Sequence, residues 1–231
     1  SLIVLMSLPT SLIVKKSAPS AKTPPEYYPS LRQAWNRPSV RFGVLMVILC
    51  QTGTRGVQSM IMPYLFDNGL QLTDLGLLAA GGGAITGLFG VLVSTVLMKR
   101  LAPHIMLIAC LGLEALIFTG FYLDALALFS GALGLKILYI LSAIVAATKF
   151  VALYTLMMDW AYGKQAGVDF TVFQSTDMAI AIVMALISGG VIALMGYSVH
   201  FAIAVFASVT AFGFGLYRLS IPRSSPRPET T

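Results

Sequence analysis

The fold turns on FGVLMVILCQTGTRGVQSMIMPYLF, residues 42–66. Coiled as a helix at about 1.5 Å per residue, this run is long enough to cross the ~30 Å hydrocarbon core of a bilayer. Yet Arg55 stands near its centre, and a charge at that depth costs about 2.5–3.5 kcal/mol on insertion scales. Gln51, Arg55 and Gln58 recur at i, i+4 and i+7 and so share one face, with Thr54 and Ser59 beside them. A polar stripe on a lipid-soluble helix marks a surface turned either to a water-filled pathway or to a charged partner on a neighbouring helix.

The rest of the chain fits that setting. Of its 231 residues 57% are hydrophobic and 10% charged, and the mean hydropathy is +0.85, whereas an average soluble domain carries about 25% charged residues. The net charge of +6 does not signal a nucleic-acid partner, because the basic residues cluster in short connections between apolar runs. Six full runs are expected to span as helices, at 42–66, 75–98, 104–123, 135–158, 173–196 and 199–219. A barrel is excluded, since its strands would be about ten residues of alternating polarity. An earlier run, within residues 1–14, is too short to span and reads as the end of a truncated helix belonging to a longer protein. Cys50 and Cys110 lie inside apolar runs and read as buried small hydrophobes, with no disulfide or metal implied.

Basic residues set the orientation. Twelve of the 15 fall in 15–41, 99–104, 159–169 and 218–231, while the opposite connections hold only Lys136. By the positive-inside rule the first set is cytoplasmic, and with it the C-terminus. The expected organisation is therefore a cytoplasmic central loop at 15–41, a six-helix domain at 42–219 and a cytoplasmic tail at 220–231. Within the loop, SLRQAW suits a short interfacial helix with Trp35 at headgroup level.

Two more charges sit within helices. Lys149 shares a face with Tyr139 and Ser142, at a depth in the fourth run similar to that of Arg55 in the first. Matched features in the first and fourth of six helices suggest a 3+3 inverted repeat. Glu114 has no polar neighbour on its own helix, which leaves Arg55 or Lys149 as a partner, or a role as a proton site. Asp177 is placed at the cytoplasmic mouth of the fifth helix, on one face with Ala181, Met184 and Ser188, as an end charge or a gate. Gly83, Gly87 and Gly90 offer close helix packing or a flexible gate. His104 and His200 stand at helix ends, where solvated histidines are ordinary. No phosphate loop, HExxH, CxxC pair or GxSxG occurs, so neither an enzyme nor a cofactor or metal is expected.

A six-helix cationic bundle behind a basic loop resembles the C-terminal half of a major facilitator superfamily transporter. The stretch ATKFVALYTLMMDWAYGKQAGVDFTVFQSTD, residues 147–177, is similar to the branch holding AmpG-type muropeptide permeases, acetyl-CoA transporters and RhtX/FptX-type siderophore importers. AGVDFTVFQS is most similar to the siderophore importers. Where the superfamily often has a Gly-x-x-x-Asp-Arg loop, this chain has Gly90 and Ser94, no Asp, and the basic pair Lys99 and Arg100. The resemblance implies proton-coupled uptake across a bacterial inner membrane, with a second six-helix half completing the transporter. On this reading Arg55, Lys149, Gln51, Gln58, Tyr139 and Ser142 contact an anionic solute, while Glu114 and Asp177 serve coupling or gating. A muropeptide cargo and a truncated, non-transporting membrane scaffold are the alternatives.

Overall fold

The computed structural model describes residues 30–128, 131–163 and 165–219. The truncated helix expected at 1–14, most of the 15–41 loop and the 220–231 tail lie outside the described residues. Those described are helical apart from short connecting turns, with no strand among them. A short α1, Leu31–Trp35, is followed by α2, Pro38–Asp67. Next comes α3, Leu72–Leu77, which runs through a π-helical turn at Leu78–Gly82 into α4, Gly83–Met98. Then follow α5, Pro103–Ala125, α6, Ala132–Trp160, and α7, Ala166–Leu219. Three tracts, Pro103–Ala125, Ala132–Trp160 and Ala166–Arg218, are long and apolar enough to cross a membrane. Their outer faces are correspondingly greasy: Leu186, Leu194 and Phe206 are each at least 74% exposed.

Local chemistry sets the helix ends. Pro38 and Pro103 sit in the first turn of their helices, where a missing N–H leaves no bond unmade. The C-terminal end of α2 is closed by Gly69 at φ 85°, with Leu70 N–H donating back to the Leu65 carbonyl at 3.2 Å. Gly196, at φ 82° and ψ 176°, interrupts α7 and divides it into 166–195 and 197–219. The break falls at the boundary expected between the fifth and sixth runs. The fifth helix, however, starts seven residues before the expected 173, at Ala166. Its first turn, residues 166–169, carries the charge of Asp169 and reads as loop, but Asp169 is fully buried against Arg37 of the distant N-cap of α2.

Helix α2 packs against both halves of α7, and two glycines permit the close approach. A Cβ on Gly43 would stand 2.6 Å from the Phe173 ring, and one on Gly53 2.7 Å from Ser208 Oγ. Helix α5 rests on α7 and α6, and α4 lies against α6. The close α4–α6 contact is made at Gly90, where a Cβ would meet that of Ala147 at 2.4 Å; nothing lies within 4 Å of Gly87. Of the expected glycines, then, Gly87 makes no close contact, Gly90 brings two helices together, and the surroundings of Gly83 lie outside what is described. Beyond Gly196 the ring of His200 turns inward, to 4% exposure, where a solvated histidine was expected.

Candidate functional site

Lys149 of α6 is fully buried, and all three of its N–H donors are used. Nζ donates to Glu114 Oε2 of α5 at 2.7 Å, to the Cys50 carbonyl of α2 at 2.8 Å, and to Thr54 Oγ1 of α2. Thr54 Oγ1 in turn donates to the Glu114 carboxylate, 3.1 Å from Oε1. The Lys149 and Glu114 side chains are 1% and 2% exposed. An ammonium alone at this depth would be untenable. One matched to a carboxylate, with its remaining donors satisfied, is tolerated.

Arg55, the residue after Thr54 on α2, makes a different arrangement. Its Nε donates to Asp177 Oδ1 at 3.0 Å and its Nη2 to Oδ2 at 2.6 Å, the two-pronged geometry in which a guanidinium fits a carboxylate. Gln51 Nε2 adds a third bond to Asp177 Oδ1 at 3.0 Å, and Arg55 Nη1 reaches Gln58 Oε1 at 3.4 Å. Asp177 is fully buried, while the Arg55 side chain is 21% exposed. Asp177 therefore lies about three turns inside its helix, not at the mouth, because that helix begins at Ala166.

Beside Glu114 lies a cavity of about 240 Å³, bounded by α2, α5 and α6. Gln58, Tyr139, Ser142, Thr54 and Glu114 give it a polar wall, and Ala143 and Ala146 leave it room. Four of the expected site residues, Gln58, Tyr139, Ser142 and Glu114, thus share one space. Gln51 and Arg55 turn to Asp177, and Lys149 turns to Glu114. Each cation expected to meet a solute already meets a carboxylate. Glu114, left between two partners by its sequence position, takes Lys149.

Thr54 was noted only as flanking the stripe, yet it links both members of the buried pair. The signal was present: Cys50 and Thr54 are four apart and share a second face of α2, turned away from that of Gln51 and Arg55. Both ends of α2 are also tied. At one end Arg37 donates to Asp169 Oδ2 at 2.7 Å and to the Tyr162 carbonyl at 2.9 Å. At the other, Tyr64 donates to Asp124, and Tyr197 donates to Asp67 at 2.7 Å. No protein-family model matches the chain.

Proposed function

We propose that this chain forms a six-helix half, built as a 3+3 inverted repeat, of a secondary active transporter of the major facilitator type. In this reading it imports a siderophore-type solute across the bacterial inner membrane by alternating access with a second half, driven by protons. The observation that carries the reading is the cavity, where Gln58 of α2 and Tyr139 and Ser142 of α6 converge beside the Glu114 carboxyl inside an apolar bundle. Polar groups gathered around a space at membrane depth suit a solute path. In an inverted repeat α2 and α6 are the equivalent first helices, and both contribute to that wall.

The buried pair supplies a route to coupling. A proton arriving on Glu114 removes the charge that holds Lys149 and leaves the ammonium available to an anionic group of the solute. Proton and anion then favour each other's binding, and the linkage is reciprocal. Gln58, Tyr139 and Ser142 offer hydrogen bonds to the amide, hydroxyl or phenolate groups of such a cargo. The 21% exposed flank of Arg55 offers a second anion contact if Asp177 yields its place.

Uptake of radio-iron-loaded siderophores by iron-starved cells carrying the gene tests this. Gln58→Ala and Tyr139→Phe should each reduce uptake several-fold, and Glu114→Gln should abolish its dependence on the proton gradient. Gene-dependent uptake indifferent to all three would remove the cavity from the path. Without gene-dependent uptake of any siderophore, labelled muropeptide becomes the next cargo to try. The complete pairing of the internal charges favours one rival, a non-transporting scaffold in which the ion pairs only join helices. That rival requires that no solute be moved at all.

A further inference from the structure

A second, smaller cavity lies where α2 meets both halves of α7. Gly53 and Gly56 of α2, Met184 and Ser188 before the Gly196 break, and His200 and Ala204 after it form its wall. Its volume is about 30 Å³, and one water needs about 10–15 Å³ measured in this way. His200 is 4% exposed, and its Nε2 has no hydrogen-bond partner among the described residues. Ser188 is 1% exposed, and among the described residues its Oγ bonds the Gly56 carbonyl, at a long 3.5 Å. That carbonyl already accepts Ser59 Oγ at 2.7 Å. A Cβ built on Gly56 would stand 3.5 Å from Ser188 Oγ and 3.8 Å from His200 Cε1. Two under-satisfied buried groups, one from each half of α7, therefore border the spot that a glycine side chain leaves open.

We propose that this cavity is a hydration site: one water bridges His200 Nε2 and Ser188 Oγ beside Gly56 and ties the two halves of α7 across the Gly196 break. A cation is a poorer occupant, because no carboxylate lines the space to balance its charge. An apolar molecule is poorer still, since it would leave the imidazole nitrogen unpaired. The water supplies both a donor and an acceptor, so it suits the nitrogen in either tautomer. The inference is independent of the transport reading.

Gly56→Ala, made in the full-length protein and followed by thermal unfolding in detergent, separates a wet cavity from a dry one by sign. The nearest obstacle to the new methyl is the Met184 Cε at 3.2 Å, the free end of a flexible side chain. In a dry cavity alanine fills a void and improves helix propensity, so Tm rises. In a hydrated one it expels the water and strands His200, so Tm falls by about 2–4 °C. The same substitution in a His200→Leu background sets the steric term apart. The proposal expects a fall in the parent and no fall, or a rise, beside Leu. A fall of equal size in both backgrounds means a clash, and no fall in the parent means a dry cavity; either overturns it.

Discussion

The Glu114–Lys149 and Arg55–Asp177 pairs both tie α2 to neighbouring helices within the apolar bundle, but they differ in how completely they are sealed. In the first, both side chains are within 2% of full burial, and every ammonium proton has an acceptor. In the second, only the carboxylate is buried, and the guanidinium keeps a 21% exposed flank. A sealed pair sits in a medium that screens little, so neither member can leave unless the other changes its charge. An open pair has solvent or ligand within reach, and its cation can exchange one anion for another. The same two charge types thus give one arrangement fit for a proton-controlled switch and one fit for direct contact.

Breaking the sealed pair should have the largest effect. Lys149→Met leaves Glu114 with only the Thr54 hydroxyl, and removal of one member of a buried pair typically destabilises by about 3–5 kcal/mol. Chemical or thermal unfolding in detergent should show a loss in that range. The double variant Lys149→Met with Glu114→Leu should recover most of the stability, since an apolar pair of similar volume needs no partner. A double variant no better than the single one would mean that packing, rather than charge, holds the three helices there.

The open pair should respond more weakly and more selectively. Arg55→Ala leaves the buried Asp177 carboxylate with Gln51 alone, and stranding a buried acceptor costs about 1–3 kcal/mol. Arg55→Lys keeps the charge but cannot form both prongs, so its loss should be smaller, about 1 kcal/mol. If Lys proves as damaging as Ala, the fork geometry matters more than the charge.

The all-helical, membrane-type character was legible in the sequence because length and hydropathy are local, and three tracts are long and apolar enough to cross a membrane. The break at Gly196 coincides with the end expected for the fifth run. What was not legible depends on distant partners. Asp169 made the start of α7 look like loop, and its ion-pair partner there, Arg37, stands 132 positions away. That misplaced start in turn put Asp177 at the mouth of its helix. Glu114 had two cations at equal merit, and no rule of spacing could choose between helices. The polar stripe on α2 divides: Gln51 and Arg55 turn to α7, whereas Gln58, itself exposed, lines the cavity. A stripe read as one face serves two neighbours because α2 touches helices on several sides.

The smallest effect belongs to a pair with neither kind of seal. Lys136 Nζ lies 2.9 Å from Asp74 Oδ2, with side chains 34% and 39% exposed. Distance alone would rank it with the buried pairs. Solvent screens it, and holding two flexible side chains in place takes back part of the attraction, so such pairs contribute about 0–1 kcal/mol. A double-mutant cycle of Lys136→Ala and Asp74→Ala should give a coupling within that range that shrinks further in high salt. A coupling above about 2 kcal/mol would mean that this end of α3 and α6 is shielded from water, for instance by a second helical half packed over it. The weakest ion pair in the bundle is therefore the one that reports whether anything else covers this end.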